Sequence, residues 1–174
     1  MNSIVADTTP LNYLVLIQAI EILPNLYRKV LIPPAVRAEL ANTKTPDIVR
    51  AWISLPPSWL EVLSLKEPVD SALADLDAGE REAISLASEL QAGLLLMDER
   101  DGVSIARRRG LMVIGTLAAL DLAAVRGLID LQTMFDRLRE TTFRSPLRLM
   151  ASMLEQDAER KQHQEDSLSR GEEP

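Results

Sequence analysis

Residues 77–98 read DAGEREAISLASELQAGLLLMD, and this stretch decides the fold class. Its first part predicts a helix that opens at Asp77 and continues to about Gln91. Gly93 is the predicted left-handed cap of this helix, and Leu94–Met97 is an all-apolar run that fits a central strand buried on both faces. A helix that leads through a short turn into a buried strand is typical of a parallel sheet covered by helices.

The rest of the chain repeats this alternation of short apolar runs and helical stretches. We predict strands at Ser3–Asp7, Lys29–Ile32, Leu60–Leu65 and Leu111–Ile114, and helices at Leu11–Ile22, Pro34–Ala41, Pro46–Leu55, Asp98–Arg109, Thr116–Arg126, Leu131–Arg139 and Pro146–Asp157. The first helix is predicted to begin with Thr9 as N-cap and Pro10 at its first position. We expect an α/β fold with a mainly parallel sheet of four or five strands, and with Ile4–Ala6 and Leu94–Met97 at its centre.

The composition excludes several kinds of chemistry. The 174 residues contain 47% apolar residues, no cysteine and one histidine, His163, which lies in a polar C-terminal run. Disulfides, thiolate metal sites, a cysteine nucleophile and histidine-dependent triads are therefore not expected. The net charge is −7, so the chain has no overall basic footprint for nucleic acid. If the fold performs chemistry, carboxylates are the expected tools.

Charge and hydropathy also predict the domain organisation. Residues 1–158 can form one domain that includes the C-terminal helices. Residues 159–174 are acidic and almost without apolar side chains, so we expect them to be disordered, or helical only at their start. The N-terminus does not resemble a signal peptide, and no apolar run is long enough to cross a membrane. A cytoplasmic location fits these features and the absence of cysteine.

Four acids lie where a parallel sheet would bind a ligand. Asp7 and Asp98 end predicted strands, Glu39 lies on the helix after the second strand, and Glu80 lies in the first turn of the helix that begins at Gly79. Each acid alone has an equally good explanation as a helix cap or a solvated side chain. Together they would repel each other unless a divalent cation neutralised them. All-oxygen ligands suit Mg2+ or Mn2+, which can support phosphodiester hydrolysis.

These residues resemble the PIN domain, the metal-dependent ribonuclease fold of VapC-type toxins, over about residues 3 to 155. The similarity is closest to a branch of uncharacterised PIN-like nucleic-acid-binding proteins. It rests on four segments, each with one acid: IVADTTPLNYL with Asp7, VLIPPAVRAEL with Glu39, LDAGEREAISLASEL with Glu80, and LLLMDERDGVSIARRRGLMVIGT with Asp98. The turn MDERD departs from the pattern of many relatives, which leaves the roles of Glu99 and Asp101 open. Glu82 is an alternative to Glu80 as the third acid.

The resemblance implies a function for the chain. It implies a Mg2+- or Mn2+-dependent endoribonuclease that uses Asp7, Glu39, Glu80 and Asp98 both as metal ligands and as catalytic residues. It also implies an RNA substrate and a role as the toxin of a toxin–antitoxin pair, with a small antitoxin protein as partner. The apolar residues between Leu11 and Leu26 are more numerous than one helix face needs, so part of them is a candidate surface for the antitoxin or for a homodimer.

Two other functions remain open from the sequence. The first is a non-catalytic nucleic-acid-binding or protein-interaction module on the same fold. The second is a small α/β phosphatase or receiver-like domain, although the last predicted strand is followed by Gly115-Thr116 and not by a lysine. Candidate phosphate contacts are basic residues that could equally be solvated: Arg107, Arg108, Arg109, Arg126, Arg137, Arg139, Arg144 and Arg148.

Overall fold

The computed structural model describes residues 3–169 of the chain. Within this range the strands are β1 (Ile4–Ala6), β2 (Val30–Ile32), β3 (Leu60–Val62), β4 (Leu95–Leu96) and β5 (Val113–Ile114). The helices are α1 (Thr8–Leu16), α2 (Ile22–Leu26), α3 (Pro34–Leu40), α4 (Asp47–Ser54), α5 (Ala78–Glu89), α6 (Arg100–Arg108), α7 (Thr116–Val125), α8 (Leu131–Arg139) and α9 (Leu147–Ser169). A single 3-10 turn lies at Ser71–Leu73.

The five strands form one parallel sheet in the order β3-β2-β1-β4-β5. Val5 in β1 is in register with Leu31 on one side and Leu95 on the other. The predicted α/β class and the central place of β1, with β4 beside it, are therefore confirmed. Because the strands are parallel, their carboxyl ends share one edge of the sheet.

Burial follows the position of each strand. All residues of β1 and β4 are buried, as expected for strands covered on both faces. β3 has buried Leu60, exposed Glu61 and half-buried Val62, and it is an edge strand of the sheet. The apolar run Leu111–Ile114 forms the other edge, where Met112 is 66% exposed.

The predicted helix Leu11–Ile22 is wrong, because the chain forms two helices there. Asp7, and not Thr9, is the N-cap residue of α1, and α1 ends at Leu16. Gln18 then takes a left-handed conformation with φ of 59°, which lets the Ala19 amide donate to the Leu14 carbonyl over 2.8 Å. This closing hydrogen bond is the usual way to end a helix, but glycine normally occupies the left-handed position.

At the end of α5, glutamine again occupies the left-handed position that glycine usually takes. Gln91 has a φ of 48°, and the Ala92 amide donates to the Ala87 carbonyl over 2.9 Å. The left-handed cap is thus two residues before the predicted Gly93. Gly110, with φ of 80°, does end α6 as the sequence indicates.

The apolar residues between Leu11 and Leu26 belong largely to the core. The side chains with no more than 1% exposure in this region are Leu11, Leu14, Ile17, Leu23 and Leu26. Burial within the chain accounts for these five side chains, while the antitoxin and the homodimer stay predictions. None of the helices between residues 3 and 169 combines the length and the hydrophobicity needed to cross a membrane.

The chain divides into two compact units between Thr116 and Leu117. In the second unit α9 continues as a helix through Ser169, which differs from the disorder expected after residue 158. At the start of this part, Lys161 Nζ lies 3.0 Å from an oxygen of Asp130, the N-cap residue of α8, and 2.9 Å from an oxygen of Asp157 on α9 itself. The expected disorder of residues 170–174 lies outside the described residues.

Candidate active site

The four predicted acids lie at the carboxyl edge of the sheet or on helices next to it. Asp7 follows β1 and Asp98 closely follows β4, and these strands are parallel neighbours. The Asp7 amide donates a hydrogen bond to the Leu96 carbonyl over 2.9 Å, so the two strand ends are level. Glu39 lies on α3, and Glu80 lies in the first turn of α5. This edge is where open parallel sheets bind ligands.

Asp7 is the most buried of the four acids. It is 2% exposed, and its Oδ1 atom has no hydrogen-bond partner among the described residues. Burial is the largest cause that raises the pKa of Asp7 to about 8, against a backbone hydrogen bond from Thr8. The negative charges that add to the rise are those of Asp77, Glu80 and Glu39. A buried carboxyl oxygen in such surroundings is stable as the neutral acid or next to a cation.

The Glu39 carboxylate joins α3 to the first turns of two other helices. Oε1 accepts a hydrogen bond from the Gly79 amide in α5 over 2.7 Å, and Oε2 accepts a short one from the Thr8 hydroxyl in α1. Amides in the first turn of a helix have no partner within the helix, so a carboxylate binds them well. Both oxygens of Glu39 are thus held by donors, and one of these donors, Thr8, is the residue that follows Asp7.

Glu80 forms a capping box with Asp77 at the start of α5. Asp77 Oδ1 accepts from the Glu80 amide over 2.8 Å, and Glu80 Oε2 accepts from the Asp77 amide over 3.3 Å. Burial, followed by the charge of Asp77, raises the pKa of Glu80 to about 7, and the charges of Glu99 and Glu39 add to the rise. We refer to Asp7, Glu39, Asp77 and Glu80 as the carboxylate cluster.

Asp98 shares the edge but has its own hydrogen-bond partner. Its two oxygens accept from the amide and the hydroxyl of Thr116, over 2.7 Å and 2.6 Å, at the first residue of α7. Burial raises the pKa of Asp98, the hydrogen bonds from Thr116 oppose this rise, and the charge of Glu99 adds to it. Because Glu99 also raises the pKa of Glu80, it links Asp98 electrostatically to the carboxylate cluster.

Glu82, Glu99 and Asp101, whose roles the sequence leaves open, have different surroundings in the structure. Glu82 Oε2 accepts from the Ala35 amide at the start of α3 over 2.9 Å, so its carboxylate faces α3. Glu99 is exposed, and Asp101 is exposed in the first turn of α6. Glu80, rather than Glu82, is therefore the α5 acid in the carboxylate cluster.

Glycines stand against three of the four predicted acids. The pairs are Gly79 with Glu39, Gly102 with Glu80, and Gly115 with Asp98. A Cβ atom on Gly79 would lie within 2.9 Å of three carboxyl atoms of Glu39, and one on Gly115 would lie 2.6 Å from Asp98 Oδ1. These glycines thus leave the space that the carboxylates occupy.

The donor set fits a hydrated divalent cation, although the side chains are not arranged around one. Within residues 3–169, no group of three acidic or histidine side chains has the geometry to hold a metal ion. Glu39 and Asp98 instead use their oxygens on Thr8, Gly79 and Thr116. The unpartnered Asp7 oxygen and the all-carboxylate surroundings suit Mg2+ or Mn2+, since Mg2+ keeps several waters and needs few direct carboxylates.

Sequence reasoning missed three residues that shape this edge. Thr8 and Thr116 donate to Glu39 and Asp98, and Asp77 is a further acid of the carboxylate cluster. Asp77 had a signal, because Asp-x-x-Glu at a predicted helix start is a capping-box pattern. The two threonines had no local signal, since they lie 31 and 18 residues from the acids that they contact.

The basic run on α6 lies away from the acids. α6 starts near Asp98 at the carboxyl edge and runs back toward the start of β5, so Arg107 and Arg108 come in its last turn. A nine-residue helix is about 13 Å long, which separates these arginines from the acidic edge. Arg109 forms an ion pair with Asp70 at 2.6 Å.

Comparison with known proteins identifies the family. No curated protein matches the chain. Among solved structures, a PilT N-terminus domain protein from the hyperthermophilic archaeon Sulfolobus solfataricus P2 is similar, with 18% sequence identity, a TM-score of 0.46, and coverage of 68% of this chain and 90% of that one. The family model DUF3368, described as a PIN domain, matches residues 3–159. Since this match spans most of the sequence, the chain belongs to the PIN-domain family.

Proposed function

We propose that the chain is a Mg2+- or Mn2+-dependent endoribonuclease that hydrolyses RNA at the carboxyl edge of its sheet. PIN domains are generally nucleases, and the observation that carries the proposal is the Asp7 carboxyl group. It is buried at the end of the central strand, one oxygen lacks a partner, and its neighbours are acids. A fold retains such an electrostatic conflict where function requires it.

Asp7, Glu39, Glu80 and Asp98 are the residues that would hold the cation. When bound, a divalent ion supplies a water of lowered pKa and a positive charge for a phosphate oxygen. In the protein alone, Asp7 is mostly protonated near neutral pH and Glu80 is partly protonated, because their pKa values are raised to about 8 and about 7. They give up these protons on binding, so the affinity for the cation should increase with pH.

The surrounding residues set the positions of these ligands. Thr8 and Gly79 hold the Glu39 carboxylate from two helices, and Thr116 holds Asp98. Glu39 can swing towards Asp7 by giving up one of its two donors, because its side chain has three rotatable bonds. The mechanism relies on carboxylates, and it assigns no role to His163, the one histidine of the chain.

We further propose that the chain is the toxin of a toxin–antitoxin pair acting in the cytoplasm, with a small antitoxin as partner and a homodimer as its assembled form. The membership in the PIN-domain family supports this proposal. Induced expression should arrest growth, and expression of an adjacent small reading frame should relieve the arrest. Light scattering of the purified chain tests the homodimer, and a monomer at high concentration would contradict it.

The experiment that tests the enzyme uses purified protein and a 5′-labelled single-stranded RNA. Cleavage should require Mg2+ or Mn2+ and should stop on addition of a chelator. Asp7→Asn should retain the folded circular dichroism spectrum and lose cleavage. Cleavage that survives the chelator or persists in Asp7→Asn would contradict the proposal.

A second candidate function is a non-catalytic nucleic-acid-binding module. The observation in its favour is that the carboxylates of Glu39 and Asp98 are already satisfied by protein donors. This function predicts RNA binding that needs no divalent cation and gives no cleaved product. Gel-shift and cleavage assays with one labelled RNA separate the two functions.

A further inference from the structure

Helices α3 and α5 cap each other through two glutamates. Glu39 on α3 accepts from the amide of Gly79, the second residue of α5, over 2.7 Å. Glu82 on α5 accepts from the amide of Ala35, the second residue of α3, over 2.9 Å. Each helix therefore supplies the carboxylate that satisfies the first turn of the other.

Glu82 provides a restraint that α3 does not have by itself. The helix has only seven residues, and its N-cap residue, Pro33, makes no side-chain cap. Pro33 and Pro34 have no amide hydrogen, so Ala35 carries the first free amide of this helix. The Glu82 carboxylate binds that amide and fixes the start of α3 against α5.

We propose that Glu82 is a positioning residue that keeps Glu39 at the carboxylate cluster by fixing the start of α3. The inference rests on the proposed function, because it concerns the same site. Glu39 lies on the turn after Ala35, and both its donors belong to other helices. A shift of α3 relative to α5 would therefore pull the Glu39 carboxylate away from Thr8 and Gly79. Glu82 prevents this shift without facing the cluster itself.

The electrostatics agree with a role outside the cluster. The acids whose charges raise the pKa of Asp7 are Asp77, Glu80 and Glu39, and Glu82 is not among them. The geometry agrees as well, because Glu82 Oε2 meets a backbone amide of α3 and not another carboxyl group. Glu82 thus acts on Glu39 through the helix.

The test compares Glu82→Ala and Glu82→Gln with the matched control Glu89→Ala. Glu89 also lies on α5, and its carboxylate also caps backbone amides, those of Lys66 and Glu67, over 3.1 Å and 3.0 Å. Glu82→Gln keeps an oxygen that can accept from the Ala35 amide but removes the charge. All three variants are measured for thermal unfolding, Mn2+ binding by calorimetry and hydrogen exchange of the Gly79 amide by NMR.

Displacement of the Glu39 carboxylate should appear in the Glu82→Ala variant alone. Its Gly79 amide, which Glu39 protects, should exchange about tenfold faster, and its Mn2+ affinity should fall by about 10- to 100-fold, the range for residues that orient metal ligands. Glu82→Gln should stay within about threefold of the parent protein in both measurements. Glu89→Ala should lower the melting temperature without changing either of them.

Two results would overturn the inference. If Glu82→Gln weakens Mn2+ binding as much as Glu82→Ala does, Glu82 acts by its charge, as a ligand would. If Glu82→Ala lowers the melting temperature but leaves the exchange of Gly79 unchanged, its role is only structural. A parent protein that neither binds Mn2+ nor cleaves RNA would refute the proposed function, while the exchange of Gly79 would still decide the role of Glu82.

Discussion

Two buried aspartates, Asp7 and Asp157, have opposite surroundings. Asp7 in the first unit is 2% exposed, and Asp157 in the second is 5% exposed. Burial acts to raise the pKa of Asp157, but hydrogen bonds from Lys161 and Arg160 outweigh it and lower the pKa. Burial and nearby acids raise the pKa of Asp7 to about 8.

The difference distinguishes a carboxylate with a structural role from the carboxylate that we propose to be functional. The cations beside Asp157 lie on the same helix, α9, and compensate its burial, so the group can stay charged. Among the described residues no such cation acts on the carboxyl group of Asp7, and its charged form is disfavoured. A buried acid without a protein counterion points to a ligand that supplies the positive charge.

The largest expected effect is on catalysis, which should depend on Asp7 but not on Asp157. Asp7→Asn should reduce RNA cleavage by about 10²- to 10³-fold, the range for the loss of one electrostatic contributor to a transition state. Asp157→Asn should leave cleavage within about twofold of the parent, because its partners are in the second unit. Initial rates on one labelled RNA measure both, and equal losses would contradict the distinction.

For the free energy of unfolding, we expect the loss at Asp157 and not at Asp7. Asp157→Ala should lower the free energy of unfolding by about 1–2 kcal/mol at pH 7. This is less than the loss of a fully buried ion pair, because Arg160 and Lys161 are partly exposed and keep Asp121 and Asp130 as partners. Urea unfolding measures the change. A variant as stable as the parent would show that the Asp157 pairs contribute nothing.

The pH dependence of stability should identify Asp7. Its pKa is raised from 3.8 to about 8 on folding, so the folded protein keeps a proton that the unfolded chain releases. Its contribution to stability is fully present below about pH 4 and is lost as the pH rises to about 8. Without divalent cations, Asp7→Asn should be more stable than the parent by about 1–2 kcal/mol at pH 8, with little difference at pH 4. If the free energy of unfolding changes with pH in the same way for the parent and for Asp7→Asn, this prediction is contradicted.

Two glycine variants should distinguish a glycine that shapes the proposed metal site from one that only stabilises the fold. Alanine at Gly79 favours the helix by about 0.5–1 kcal/mol but pushes the Glu39 carboxylate aside. We expect Gly79→Ala to keep the melting temperature and to lose about tenfold in Mn2+ affinity. Gly110→Ala should lower the melting temperature and leave the Mn2+ affinity unchanged. Gly110 has a φ of 80°, which strains an alanine, and a Cβ atom there would have no neighbour within 4 Å. Calorimetry and thermal unfolding test both variants.

The smallest expected effect concerns Asp98. Asp98→Asn removes a charge next to Glu99 but retains an oxygen for Thr116, so the stability of the cation-free protein should change by less than about 1 kcal/mol. Saturating Mg2+ should raise the melting temperature of the parent by a few degrees more than that of the variant. Equal shifts would remove Asp98 from the proposed metal site.

The sequence alone was enough for the fold class and for the edge at which a site would lie. All-apolar runs such as Leu94–Met97 require burial on both faces, and this requirement holds whatever the neighbouring elements are. An acid at the end of each central strand then lies at one edge, because the strands are parallel. Asp7 and Asp98 could be located in this way, and Gly110 could be recognised as a helix end.

Tertiary structure decided which acids interact and where some helices end. Glu39 meets Gly79 across 40 residues because α3 packs against α5, and Asp98 meets Thr116 across 18 because β4 pairs with β5. No local pattern encodes either contact. Gln18 takes the left-handed position of a glycine because the buried side chains around it fix the path of the chain. Local propensity specifies one segment at a time, whereas hydrogen bonding and charge at this site depend on segments that are distant in sequence.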